Sequence, residues 1–168
     1  MNFLKSIVLA LSLSTLCIPQ AHSRVEDGTG DLINTIADSG IAVVINGDRC
    51  SQGEFLGIYS FKGIKRQMTL CPGSSVDPID HATVRHEVFH AIQHCVNAAR
   101  GTSKNTPVQN DYAHLRDLIN EHVSSTEVED IRTQYPQEHW WVEWEATMAE
   151  HIFTAKELET IFLQTCTM

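Results

Sequence analysis

The sequence has no apolar run long enough to cross a membrane, no excess of basic residues, and no repeated or low-complexity segment. A membrane-spanning helix needs about 20 apolar residues, and the apolar stretch over residues 7–18 falls short of that length. Lysine and arginine number 12 against 21 acidic residues, which gives a net charge of −9. A surface of this sign repels phosphate backbones and anionic lipid headgroups. We therefore expect no membrane span and no nucleic-acid partner.

The N-terminal segment is typical of an export signal. Lys5 precedes the apolar stretch, and Ala21-His22-Ser23 places small residues at the two positions that a signal peptidase recognises. We predict a cleaved signal peptide over residues 1–23 and a single domain over residues 24–168, secreted or periplasmic. A buried N-terminal helix or a membrane anchor is the alternative interpretation of the same run.

Four cysteines remain after the predicted cleavage, an even number in a chain bound for an oxidising compartment. Such a count indicates two disulfides. Of the three connectivities we favour Cys50–Cys71, which would link a β-hairpin region, together with Cys95–Cys166, which would tie the C-terminus to a central helix. Free buried thiols are the alternative, whereas the spacing excludes a CxxC-type metal knuckle.

Strand patterns come first along the chain, and helical patterns follow. Residues 31–39 predict a short helix closed by Gly40, residues 41–45 an apolar central strand, and residues 54–60 and 65–71 two further strands. A small antiparallel sheet is expected from them.

The rest of the chain is predicted to be helical. Asp80 is a plausible N-cap for a helix that runs to Arg100, and a polar loop follows over residues 101–111. Further helices are expected from Tyr112, after the capping boxes Ser124/Glu127 and Thr154/Glu157, and over residues 137–153. The order predicts an α+β fold, with a small antiparallel sheet followed by a mostly helical part.

The predicted helix after Asp80 carries His86-Glu87-Val88-Phe89-His90. Residues four apart on a helix lie nearly above one another, so His86 and His90 can bind one ion while Glu87 reaches a water on it. Zinc held by three protein ligands keeps a position open for that water and lowers its pKa. In a chain with nine histidines the motif could arise by chance. However, His86, His90 and His94 share one face of this predicted helix, and the opposite face is apolar. We predict a catalytic zinc site.

The third zinc ligand has to come from outside this motif. A metzincin site would need glycine at 93 and histidine at 96, where the chain has Gln93 and Val96. The segment 141–150 offers three glutamates, of which Glu145 lies within an apolar stripe on a helical projection. A buried carboxylate needs a partner, so Glu145 is the predicted ligand. Two alternatives stay open: pairing of Glu145 with a basic residue such as Arg85, or a helix register in which Glu143 points inward.

The motif at 86–90 followed by Glu145-Ala146 resembles the gluzincin group of zinc peptidases, the thermolysin-like type. The resemblance is limited to these two helices. It implies a zincin-like fold and peptide-bond hydrolysis, with Glu87 as the general base. Thermolysin has an aspartate four residues after its glutamate ligand, where this chain has Ala149. Asn97, Glu150 or a backbone carbonyl is therefore expected to orient the imidazoles.

Stabilising the oxyanion of such a reaction requires a histidine or tyrosine outside the helix. Tyr112 and His114 are preferred because they follow the polar loop, although His122, Tyr135 and His139 are further candidates. We predict an exported, monomeric zinc metallopeptidase acting on a peptide or protein. The alternatives are a zinc amidase acting on cell-wall peptide and a non-catalytic zinc-binding or partner-binding protein with a degenerate peptidase fold. Glu87 argues against the last, since a structural zinc site has no use for a base.

Overall fold

The computed structural model describes residues 28–52, 55–72 and 80–166, so the predicted signal peptide at 1–23 lies outside the described residues. Within those ranges no helix has the length and apolar character that crossing a membrane requires. The elements, in chain order, are α1 (Thr29–Asp38), β1 (Ala42–Ile45), β2 (Gly57–Lys62), β3 (Lys65–Leu70), α2 (His81–Ala99), α3 (Tyr112–His122), α4 (Ser125–Gln134), α5 (Trp140–Ile152) and α6 (Ala155–Cys166).

The sheet has three strands in the order β1–β3–β2. Strands β2 and β3 form an antiparallel hairpin, whereas β1 pairs with β3 in parallel. The predicted α+β fold is thus confirmed, but the sheet is mixed, and β1 lies at an edge instead of at the centre. Apolar β-branched composition made β1 resemble a central strand, yet Ile45 is more than half exposed. Residues 46–56, which contain a short 3₁₀ turn at Asp48–Gln52, connect β1 to β2 so that β3 can run parallel to β1.

The helix termini follow the local sequence signals. The Asp80 side chain accepts a hydrogen bond from the Thr83 N–H at the start of α2, and Gly101, with φ of 71°, follows its end. Both predicted capping boxes form, Ser124/Glu127 before α4 and Thr154/Glu157 before α6. The predictions for these helix starts are confirmed.

Two hydrophobic clusters surround helix α5. The main core joins α1, the sheet, α2 and α6, and it includes Ala146 and Ala149 of α5. The second cluster joins α3, α4 and the opposite side of α5, through Trp144 and Met148. Because α5 packs on both sides, every one of its residues from 142 to 149 is buried.

Both favoured disulfides are present. Cys50–Cys71 links the connection after β1 to the end of β3, and Cys95–Cys166 ties the last helix to α2. Their sequence separations are 21 and 71 residues, for which loop closure predicts a stabilisation on the order of 3–4 kcal/mol each. The Cys95–Cys166 disulfide ties the C-terminal helix to α2, the helix that carries the HExxH motif of residues 86–90.

Candidate metal centre

Helices α2 and α5 bring three ligand atoms together. The Nε2 atoms of His86 and His90 lie 3.1 Å apart, and Oε2 of Glu143 is 3.4 Å from each of them. All three side chains are largely shielded from solvent, with exposed fractions of 11–16%. The chain therefore contains a candidate metal-binding group formed by His86, His90 and Glu143.

Outer partners fix the orientation of both imidazoles. His86 Nδ1 lies 3.0 Å from Oε2 of Glu150, and His90 Nδ1 lies 2.7 Å from Oε1 of Gln93. The Gln93 amide nitrogen donates to the Val142 carbonyl and to Glu145, so its oxygen must face His90. Both Nδ1 atoms are thereby assigned as donors, so in the neutral form of each imidazole the Nε2 lone pair faces the other ring.

Two facing lone pairs beside a carboxylate oxygen call for a positive charge between them. Ligand atoms at about 2.0–2.1 Å from a tetrahedral zinc ion stand about 3.3 Å apart. The three separations of 3.1, 3.4 and 3.4 Å match one face of such a tetrahedron. Two imidazoles and a carboxylate are also a donor set that suits zinc, so the residues present fit this ion.

Protons compete with a cation for the same atoms. Burial lowers the pKa of His86, but hydrogen bonds to Glu143 and Glu150 outweigh it and raise the pKa to about 10. Burial raises the pKa of Glu143, whereas its hydrogen bonds to His86 and His90 bring it down to about 2. The cluster thus stabilises positive charge strongly, and an ion that binds there displaces protons.

Glu87 lies beside the three ligand residues with one oxygen free. The side chain is buried, the backbone N–H of Tyr59 in β2 donates to its carboxylate, and among the described residues Oε2 has no hydrogen-bond partner. Burial raises the pKa of Glu87 in spite of the two nearby imidazoles. A buried carboxylate oxygen without a protein partner calls for a water or an ion as its partner.

Gly57 allows this approach of strand to helix, and sequence reasoning missed it. A Cβ atom at Gly57 would lie 2.7 Å from Cγ of Glu87 and 2.6 Å from Cγ2 of Thr83. Only a residue without a side chain leaves room for the base. The available signal was a glycine inside a strand pattern, which marks a close approach of another group.

The structure does not bring Glu145 to the imidazoles. Its carboxylate accepts hydrogen bonds from the backbone N–H groups of Val108 and Gln109, at 2.7 and 2.8 Å, and from the side chain of Gln93 at 2.9 Å. Burial raises the pKa of Glu145 to about 7, opposed by these hydrogen bonds. The prediction that a buried Glu145 needs a partner was sound, but its partners are the loop after α2 and Gln93.

The apolar stripe used to orient α5 led to the choice of Glu145. Met148 of that stripe belongs to the second cluster, between α3, α4 and α5, and Trp141 and Ile152 pack against the same cluster. Because α5 is buried on two sides, the stripe identifies one of its inward faces and not the face toward α2. The alternative register, in which Glu143 points toward the metal site, is the one that the structure has.

Glu150, seven residues after Glu143, lies on the same face of α5. It binds Nδ1 of His86, which confirms one of the three predicted orienting partners. Asn97 bonds to Thr106 in the loop instead. Gln93, which lies one turn after His90, performs the corresponding role there and was not predicted.

His94, the last histidine of α2, lies on the side of the helix that faces the sheet. Nδ1 of His94 lies 2.8 Å from the Tyr59 hydroxyl, and its imidazole stacks on Phe61 with ring centroids 4.0 Å apart. Burial lowers the pKa of His94, and the charge of Arg66 lowers it further. His94 therefore packs between helix and sheet and is not a member of the metal-binding group.

The two predicted oxyanion residues lie on α3. Tyr112 packs edge-on against Trp141, and His114 is exposed, with its backbone N–H bonded to Asp111. In the described part of the chain no hydrogen bond or ion pair connects either side chain to the histidine pair. Tyr135 is placed differently: burial and the charges of Glu143 and Glu87 raise its pKa to about 12. The charges of Glu143 and Glu87 thus act on the phenol of Tyr135, which is still 38% exposed.

No protein-family model, curated protein or solved structure matches this chain. With Glu143 at the histidines, the Glu145-Ala146 pair that contributed to the resemblance lies outside the metal group.

Proposed function

We propose that this protein is an exported zinc metallopeptidase whose ligands are His86, His90 and Glu143. The single observation that carries the proposal is the triangle of two Nε2 atoms and a carboxylate oxygen, together with the buried Glu87 carboxylate, which interacts electrostatically with all three groups and whose Oε2 has no partner among the described residues. A structural site has no need of such a base and usually closes with a fourth cysteine or histidine.

The residues divide the chemistry among them. A zinc ion bound there would supply a water of lowered pKa and would polarise the carbonyl of the scissile bond. Glu87 Oε2 takes the proton of the attacking water and returns it to the leaving nitrogen. Glu150 and Gln93 hold the two imidazoles in the tautomer that presents Nε2, which removes the need to reorient them during the reaction.

Strand β2 favours an extended peptide as the substrate. The Cys71 N–H donates to the Leu56 carbonyl. Backbone hydrogen bonds alternate along an antiparallel pair, so the backbone N–H and C=O groups of Ile58 and Ser60 also point toward β3. The backbone groups of Gly57, Tyr59 and Phe61 then face outward, and that of Tyr59 bonds to Glu87. No strand of the described chain pairs with this edge. A peptide added along β2 would pass directly beside the base.

Tyr135 is the group that we assign to the oxyanion, in place of Tyr112 and His114. Its backbone is fixed at the end of α4 by hydrogen bonds from its N–H to Ile131 and from Trp140 to its carbonyl. Tyr135→Phe should lower kcat by about 10²–10³-fold, the usual effect of removing one oxyanion donor. Zinc content should not change, because the phenol is not a ligand.

Tyr112→Phe and His114→Ala are the matched controls for this variant, and both should retain wild-type kcat. A loss of turnover in either control with normal turnover in Tyr135→Phe would contradict the assignment and restore the prediction from sequence.

The proposed function is tested by metal content and peptide hydrolysis together. The purified protein should contain stoichiometric zinc by mass spectrometry and should cleave members of a peptide library. Removal of zinc with 1,10-phenanthroline should abolish cleavage, and added zinc should restore it. Cleavage of cell-wall peptide amides alone would redirect the proposal to the amidase. Zinc binding without any hydrolysis would favour the non-catalytic alternative, and unchanged cleavage by the metal-free protein would overturn the proposal.

A further inference from the structure

The tip of the β2–β3 hairpin exposes an apolar residue that the fold does not use. Lys62 pairs with Lys65 across a two-residue loop of Gly63 and Ile64, and Gly63 has φ of 60°. Glycine at the first loop position suits a type II′ turn, which makes no demand for an apolar residue at the second. Yet Ile64 occupies that position with 96% of its surface exposed. Neither turn geometry nor core packing accounts for it.

Positive charge surrounds this residue. Lys62, Lys65 and Arg66 are three of the twelve basic residues of the chain, within five positions. An open groove beside the tip is lined by nine residues, of which these three are cationic and none is acidic. Phe61, 41% exposed, adds a second apolar side chain to the groove. In a chain with a net charge of −9, this patch has the opposite sign to the rest.

We propose that the hairpin tip docks on an anionic lipid bilayer, with Ile64 inserted among the headgroups and Lys62 and Lys65 against their phosphates. Arg66, whose guanidinium donates to the Ser39 carbonyl, adds its charge to the patch. A bilayer presents negative charge over an apolar layer, which complements an apolar tip ringed by cations. An acidic protein surface would attract the cations but would give Ile64 no apolar environment. The proposed docking is peripheral membrane binding by the hairpin tip, and it does not depend on zinc binding or on hydrolysis.

The net charge of the chain does not prevent this docking. Charges in solution are screened beyond about 8–10 Å at physiological salt, so the cations at the tip act on the headgroups more strongly than distant carboxylates do. The repulsion expected from overall charge therefore holds for the rest of the surface, and the tip is the local exception.

The test is sedimentation of the protein with phosphatidylcholine vesicles with and without phosphatidylglycerol. The bound fraction should rise about tenfold or more with the anionic lipid and should fall with added salt, since each cation contributes about a fivefold factor. Lys62→Ser combined with Lys65→Ser should lower the partition coefficient about 30-fold. Ile64→Ser, which suits the same turn, should lower it about tenfold.

Two variants serve as controls for these changes. Lys104→Ser removes an exposed cation of the polar loop, and Leu56→Ser removes an apolar residue, 52% exposed, at the other end of β2. Both should bind vesicles like the wild type. Equal binding to neutral vesicles, or wild-type binding by the tip variants, would overturn the proposal. Binding to polyglutamate without binding to vesicles would overturn it in favour of an acidic protein partner.

Discussion

Glu87→Gln is expected to keep stoichiometric zinc and to lose peptide hydrolysis, with kcat lower by about 10²–10⁴-fold. This range is the contribution of a positioned general base. The substitution is isosteric, and the amide oxygen still accepts the hydrogen bond from the Tyr59 N–H, so the close packing against Gly57 is preserved. The amide cannot take a proton from water. Zinc content and steady-state kinetics on one cleaved peptide measure the two effects separately.

The buried position of Glu87 makes this experiment decisive. Its unpaired Oε2 costs stability where it stands, and a neutral amide in the same place should leave the thermal unfolding temperature equal to or above that of the wild type. Glu121→Gln, an exposed carboxylate on α3, is the matched control and should change neither quantity. If Glu87→Gln hydrolysed peptides at the wild-type rate, Glu87 would not be the base.

Signals that act over one turn of chain were enough to predict much of the fold. Asp80 before α2, the capping box of Ser124 and Glu127, and Gly101 after α2 determine helix ends through hydrogen bonds and dihedral angles that neighbouring residues provide. The HExxH spacing fixes the relation of His86 to His90 for the same reason. These predictions depend on local geometry and not on tertiary packing.

The parts that sequence could not predict depend on tertiary packing. Whether Glu143 or Glu145 faces α2 is decided by how α5 rotates between two hydrophobic clusters, and an apolar stripe indicates only one of its two buried sides. The direction of β1 relative to β3 depends on the connection between β1 and β2, in which the described regular structure is a short 3₁₀ turn at Asp48–Gln52. Tyr135, whose pKa the charges of Glu143 and Glu87 help to raise, follows the end of α4 and not the loop that pointed to Tyr112.

The seven-residue spacing of Glu143 and Glu150 would have been the better signal for the third ligand. Residues seven apart share a helix face, and here one carboxylate lies at Nε2 of His86 and the other at Nδ1. One inner and one outer partner for the same imidazole is the usual construction of a metal-binding histidine. Glu145 is two positions from Glu143 on the same helix, and it faces the loop at 101–111 instead.

Glu143→Gln and Glu145→Gln form a matched pair that separates these roles. Glu143→Gln should weaken zinc binding by more than 100-fold, because it removes the charge of a direct ligand, whereas loss of an outer partner costs about 10–100-fold. Glu145→Gln should keep zinc within that outer range. It should instead lower the stability of the fold, since three donors, from Val108, Gln109 and Gln93, then meet an amide with a single acceptor oxygen.

Competition with a chromophoric chelator measures the zinc affinity of the pair, and thermal unfolding of the metal-free proteins measures their stability. A buried donor without a partner costs about 1–3 kcal/mol, so metal-free Glu145→Gln should unfold at a clearly lower temperature than the metal-free wild type. Should Glu145→Gln lose zinc while Glu143→Gln retains it, the carboxylate that faces the loop would be the ligand, and the register of α5 proposed here would have to be abandoned.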